Sequence, residues 1–158
     1  MANSLDVGDR VPDFSVSTAA GDALRLSEIL QERAVVLFFY PKNETAICTK
    51  EACAFRDSFE KFAEAGAEVI GVSGDADASH QTFAQRHRLP FHLVSDADGT
   101  LRRLLGVPKT LGVLPGRVTY VIDRSQTVRL KFSAQLASDE HVKRALTALR
   151  PSGGDSET

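Results

Sequence analysis

The stretch AVVLFFY at residues 34–40 constrains the fold more than any other part of this 158-residue chain. Its β-branched and aromatic side chains favour a strand, and a run without polar alternation has no face to offer water. Such a strand belongs in the middle of a sheet, with packed layers on both sides. Pro41 closes it, because a proline cannot extend the ladder.

The segments around the run supply those layers. From about residue 45 to 65 the apolar period changes to that of a helix, with Ala52, Phe55, Phe59 and Phe62 at spacings of three and four, and Gly66 placed to stop it. AEVIGVS (67–73) is the next strand, DASHQTFAQRHR (77–88) a helix begun by an Asp or Ser cap, FHLVSD a strand and GTLRRLLG a short helix. GVPKTLGVLPG (106–116) is a loop punctuated by Gly and Pro. RVTYVID and TVRLKFSA form a hairpin about the turn signal Arg124 to Gln126, and SDEHVKRALTALR (138–150) is a capped amphipathic helix. Upstream, FSVSTAAGDALRLSEI makes a hairpin around Ala-Gly-Asp that leads into a short helix near residues 27–31. Strands alternating with helices predict a three-layer α/β sandwich with a mixed central sheet flanked by helices and an N-terminal β-hairpin extension. The expected organisation is a single domain over residues 1–150 and a disordered tail, PSGGDSET, over 151–158.

Composition removes several classes of function. The net charge is −2, and Lys and Arg are scattered, so there is no electrostatic footprint for nucleic acid. The longest apolar run is far too short to span a membrane, and the opening MANSLDVGDRVPDFSV lacks the charged-then-apolar design of a secretory signal. A reducing, cytoplasmic setting is expected, or a plastid if a transit peptide has been removed. The two cysteines are too few to staple a secreted framework, so they matter, if at all, through reactivity.

Both cysteines lie in YPKNETAICTKEAC, residues 40–53, five positions apart, a spacing that fits neither a redox C-x-x-C pair nor a zinc knuckle. On the expected helix Cys48 falls on the core-facing stripe, and Cys53 lies about 140° away on a polar face shared with Arg56, Asp57 and Glu60. Ideal helix geometry separates their α-carbons by about 8.7 Å. A disulfide needs roughly 4.4 to 6.8 Å, so a bond between them would require the first turns to unwind. Cys48 also sits in the first turn of a helix that follows a central strand, where unpaired amides and the helix dipole favour thiolate. The plain alternative, a buried cysteine acting as a small apolar residue, remains open on these grounds.

YPKNETAICTKEACAFRD resembles the active-site segment of the peroxiredoxins, whose P-x-x-x-T-x-x-C fingerprint is met by Pro41, Thr45 and Cys48. The second cysteine five residues on is similar to the peroxiredoxin Q (bacterioferritin comigratory protein) subgroup of atypical two-cysteine enzymes. The likeness continues through GVSGD, SHQTFAQRHRLPFHLVSDADG and LPGRVTYVID, over about residues 8 to 150. It implies a thioredoxin-like fold and reduction of hydrogen peroxide or organic hydroperoxides by a peroxidatic Cys48. Cys53 matches the resolving cysteine, which condenses with the Cys48 sulfenic acid to an intramolecular disulfide. Thr45 and Arg117 match the residues that hold the thiolate and the peroxide oxygens, Pro41 the residue that shields the thiolate, and Glu51 the carboxylate that orients the arginine.

The resemblance further implies thioredoxin or a similar dithiol protein as reductant, a monomer, and no cofactor or metal. One departure is Ala46-Ile47 where the subgroup usually carries Pro-Gly, a difference that bears on substrate preference. Two rival readings use the same residues. A thiol-disulfide oxidoreductase acting on protein substrates would want C-x-x-C, and a copper or zinc carrier would pair the cysteines with one of His80, His87, His92 or His141.

Overall fold

The computed structural model describes residues 5–107, 109–110, 114–115, 117–133 and 138–149. In chain order the elements are β1 (Ser15–Ser17), β2 (Ala23–Arg25), α1 (Leu26–Ile29), β3 (Ala34–Phe39), α2 (Ala46–Asp57), α3 (Phe59–Glu64), β4 (Ala67–Ser73) and α4 (Asp77–His87). They continue with β5 (His92–Ser95), α5 (Thr100–Leu105), β6 (Lys109–Thr110), β7 (Leu114–Pro115), β8 (Val118–Ile122), β9 (Val128–Ser133) and α6 (Ser138–Ala148).

The apolar run is β3, and it is the central strand of a five-stranded sheet ordered β5-β4-β3-β8-β9. It pairs in parallel with β4, which pairs in parallel with β5, and antiparallel with β8, which forms a hairpin with β9. The parallel pairs need crossovers, supplied by α2 with α3 and by α4. β1 and β2 form the separate N-terminal hairpin, tied to the sheet by a bridge between Thr18 and Val94. The mixed sheet flanked by helices, with its hairpin extension, is the expected architecture.

Alternation along β3 divides the interior in two. Val35, Leu37 and Phe39 point to one side, where they join Ile70, Val72, Tyr120 and Ile122 under Leu26, Leu30, Leu101 and Leu105. Val36, Phe38 and Tyr40 point to the other, against Cys48, Ala52, Phe55, Phe62, Phe83 and Val142 from the helices. Phe38 stacks on Phe55 at 4.4 Å between centroids, which presses α2 onto the sheet.

The structure departs from the sequence expectations at several places. The single helix expected over residues 45–65 is two, because Ser58 leaves helical geometry at φ −104°, ψ 11°. Asp57 and Ser58 are weak helix formers, and the break leaves Phe59 only partly buried while Ala52, Phe55 and Phe62 stay inside. Neither an Asp nor a Ser caps α4. Ala76 occupies that position and Asp77 is the first helical residue, while the Asp75 carboxylate goes instead to the Asn43 amide and the Ser73 hydroxyl. The expected loop at 106–116 contains a short antiparallel ladder, β6 with β7. The first helix spans Leu26–Ile29, slightly earlier than expected. The expected tail at 151–158 and the cap of the last helix lie outside the described residues.

Candidate active site

α2 begins at the carboxyl end of the central strand, after the six residues Tyr40 to Thr45. Thr45 is its N-cap residue in extended geometry, and the first intrahelical bond runs from the Thr49 amide to the Thr45 carbonyl at 2.9 Å. The amides of Ala46, Ile47 and Cys48 therefore precede the helical ladder, at the positive end of the dipole. Cys48 is buried at 1% exposure, whereas Cys53 is half-buried, and both are free thiols.

Arg117, just before β8, reaches into this turn. Its Nη1 donates to Glu51 Oε1 at 2.7 Å and its Nη2 to Cys48 Sγ at 3.3 Å. Arg117 is 3% exposed and Glu51 0%. Glu51 thus lies inside, against the arginine, and not on the exposed side of the first turns. Burial pushes the Glu51 carboxyl up to about 7, against the opposing pull of Arg117. Its second oxygen, Oε2, has no hydrogen-bond partner among the described residues and lies 3.6 Å from His141 Nδ1.

Thr45 and Pro41 lie on the loop beside the thiol. Thr45 is exposed, and its hydroxyl donates to the Lys42 carbonyl at 2.9 Å, which leaves the hydroxyl oxygen as an acceptor. Pro41 is half-buried. Glu44 adopts a left-handed φ of 65°, a conformation uncommon for a residue with a side chain, immediately before the cap.

A second set of residues fixes this loop from behind, and the sequence reading missed it. The Tyr40 hydroxyl donates to Asn43 Oδ1 at 2.6 Å, and Asn43 Nδ2 donates to Ser79 Oγ at 3.1 Å and lies 3.0 Å from His80 Nδ1. The Asn43 amide donates to Asp75 Oδ2 at 2.8 Å. Asn43 thus satisfies its whole amide inside the protein and ties the loop to the junction of β4 and α4. Burial lowers the His80 pKa and raises that of Tyr40 far above the ordinary phenol range. Asn43 Nδ2 can only donate, so His80 Nδ1 is the acceptor of that pair. The available signal was helical spacing: His80 is three residues before buried Phe83 on α4.

The four histidines occupy separate settings. His80 meets Asn43, His87 faces Glu44, His92 faces Glu68, and His141 contacts Thr119. Among the described residues no group of three or more His, Cys, Asp and Glu side chains could hold a metal ion. Among them, too, no helix is long and apolar enough to cross a membrane.

Comparison with known proteins agrees with this geometry. A profile of the AhpC/TSA family matches residues 7–131. A chloroplastic peroxiredoxin Q of Populus jackii is 46% identical over 147 residues, which cover 92% of this chain and 68% of that protein. The crystal structure of peroxidoxin BcpB from Mycobacterium tuberculosis superposes with a TM-score of 0.85 at 41% identity, covering 92% of this chain and 97% of that one. A Xanthomonas campestris peroxiredoxin Q structure gives a TM-score of 0.78 at 29% identity, with 86% and 89% covered.

Proposed function

Because the chain belongs to the AhpC/TSA family, with the thioredoxin-like fold of the peroxiredoxins, and is a thiol-dependent peroxidase, we propose that Cys48 is its peroxidatic cysteine and Cys53 its resolving one. One observation carries the assignment: a buried thiol at a helix start with the Arg117 guanidinium 3.3 Å from its sulfur. Fixed positive charge there favours the thiolate and stabilises the oxygen that leaves as the O–O bond breaks.

The substrate is a hydroperoxide and the reductant a thiol. The Cys48 thiolate attacks the nearer peroxide oxygen, the S–O bond forms, the O–O bond breaks, and the leaving oxygen takes a proton, giving sulfenic acid and an alcohol or water. Arg117 holds both sulfur and oxygen, the Thr45 hydroxyl oxygen accepts from the peroxide, Pro41 keeps bulk water from the thiolate, and Glu51 orients Arg117. Cys53 then attacks the sulfenic sulfur and water departs.

Both cysteines lie within one continuous helix, so that second step requires α2 to unwind. Glu51 stands between them and must leave Arg117 in the same movement. The resulting disulfide is exposed to thioredoxin or a similar dithiol protein. Pairing within one chain asks nothing of a second subunit, and we read the protein as a monomer with residues 1–150 forming one domain. The cycle requires a reducing compartment, cytoplasm or plastid; the name of the poplar relative puts that protein in the chloroplast.

The test is intact mass of the reduced protein, quenched within seconds of adding one equivalent of hydrogen peroxide. A monomer lighter by two hydrogens, with Cys48 joined to Cys53, is the expected product. Cys53→Ser should still form the sulfenate but stall in thioredoxin-driven turnover, and full turnover by that variant would remove the resolving assignment.

A further inference from the structure

Among the described residues, the buried cluster around Cys48 has one fixed cation for two acidic groups. Arg117 serves both the Cys48 sulfur and Glu51 Oε1. With the thiol and carboxyl both ionised, the cluster holds two anions against one cation, in a place that water cannot compensate. The other carboxylate oxygen, Oε2, meets no described donor and faces His141 Nδ1 at 3.6 Å, and both side chains are fully buried.

His141 comes from α6, which packs against α2, β8 and β9. Among the described residues, α2 presents Glu51 to it, and Cys48 and Arg117 lie behind Glu51. Among the described residues, β8 presents the Thr119 hydroxyl, 2.8 Å from Nδ1, and β9 the edge of the Phe132 ring, which also carries the Arg144 guanidinium over its face. Tyr40 lies close enough to feel the charge of Cys48 and Glu51, and its burial keeps it neutral. Among the described residues, the base that faces Glu51 Oε2 is thus the imidazole.

We propose that Glu51 and His141 together hold one proton whose presence is coupled to the Cys48 thiolate, which makes His141 a positioning residue for the peroxidatic step. With the proton on the pair, Glu51 no longer monopolises Arg117, and charge in the cluster balances while sulfur is ionised. When the thiolate becomes a neutral sulfenic acid, Arg117 balances an ionised Glu51 and the pair gives its proton up. That is one proton, equal in number to the one the leaving oxygen takes. The inference rests on the assignment of Cys48 as the attacking thiol.

The test is the pH dependence of Cys48 alkylation by iodoacetamide, using the full chain with Cys53→Ser so that one thiol reports. His141→Asn keeps a hydrogen-bonding group toward Thr119 but cannot share a proton, and His141→Gln is a second variant should the first misfold, checked by circular dichroism. Loss of the shared proton leaves Glu51 ionised more often above its own range near 7, so alkylation near pH 8 should slow by up to about tenfold while that near pH 6 changes little. Glu51→Gln removes the competing anion, and its own alkylation rate sets the baseline against which a second substitution is read. In the Glu51→Gln background, His141→Asn should have no further effect. Equal slowing in both backgrounds, or none in either, would overturn the inference while leaving the peroxidatic assignment standing. A parent protein whose Cys48 titrates as an ordinary thiol, near 8.5, would remove that assignment and this inference with it.

Discussion

The side of the central sheet that looks toward α1 and α5 is packed mainly by hydrocarbon, from Val35, Leu37, Phe39, Ile70, Val72 and Ile122, with the Tyr120 ring among them and the Arg102 guanidinium over Phe39. The opposite side, built from the intervening residues of the same strands, carries Phe38 and Tyr40 together with Cys48, Glu51, His80 and His141. Thr119, between Val118 and Tyr120 on β8, belongs to that second side, and Arg117 keeps the same alternation. One face is held by area removed from water, the other by area plus a set of charges that must remain mutually satisfied. Removing a group from the first leaves a cavity; removing one from the second leaves an uncompensated charge.

The largest expected contrast comes from one change on each side. Arg117→Met keeps the length of the stem but strips the cation from Glu51 and Cys48. Peroxide turnover should fall by about 10²- to 10³-fold, and stability by about 3–5 kcal/mol because a buried carboxylate loses its partner. Leu37→Ala on the hydrocarbon side should cost about 2–5 kcal/mol through lost burial and a cavity. Its peroxide rate per folded molecule should match the parent. Urea unfolding and stopped-flow peroxide consumption read both quantities, and a Leu37→Ala rate as low as that of Arg117→Met would erase the distinction between the faces.

Gly71 offers a smaller change that links packing to the site. A Cβ built on this residue of β4 would lie 2.8 Å from Phe38 Cζ and 2.9 Å from Leu93 Cδ2, on the functional side of the sheet. Phe38 is stacked on Phe55 of α2, so it cannot yield without pushing the helix that carries both cysteines. Gly71→Ala should cost about 1–3 kcal/mol by overpacking. Because the pressure falls on α2, formation of the Cys48 to Cys53 bond should quicken under single-turnover conditions while the alkylation rate of Cys48 changes less. A variant that is destabilised but forms the bond at the parent rate would show that α2 opens independently of the ring stack.

The alternation that separates the two faces could be read from the chain, and so could much of the architecture. AVVLFFY announced a strand buried on both sides, and the apolar spacing running from Ala52 through Phe55, Phe59 and Phe62 put Cys48 inside and Cys53 near the surface, as observed. Glu51 was named through the resemblance, and its burial is what the structure adds. The break at Ser58 was not legible, because Phe59 and Phe62 continue the helical period across it and only backbone geometry distinguishes two helices from one. Nor was Asn43 legible. Its partners Ser79, His80 and Asp75 lie more than thirty positions away, brought together only when β4 and α4 settle beside the loop. Arg117 was picked out by resemblance, since nothing local separates it from Arg124 or Arg129, which occupy exposed ground.

The smallest expected effect concerns pH and concerns only the charged side. In the folded chain the Glu51 carboxyl is pushed up to about 7 from an ordinary value of 4.5. Between those limits the folded state binds a proton that the unfolded state has released, so this group's contribution is full below 4.5 and declines as pH rises through 7. His80 acts in the opposite sense. Its folded pKa is lowered from 6.5, so the unfolded chain binds the extra proton, and its contribution is present above 6.5 and lost as pH falls. Glu51→Gln cannot ionise and removes the Glu51 slope from the profile, leaving those of His80 and of His92, whose folded pKa Glu68 raises. The stability of Glu51→Gln relative to the parent, measured by urea midpoints with thiols reduced, should therefore improve from about pH 5 to about pH 7, by on the order of 1 kcal/mol per pH unit, and level off above that. A difference that stays constant across that range would mean that the carboxyl is ionised throughout, leaving two buried anions to one arginine and no shared proton for His141 to hold.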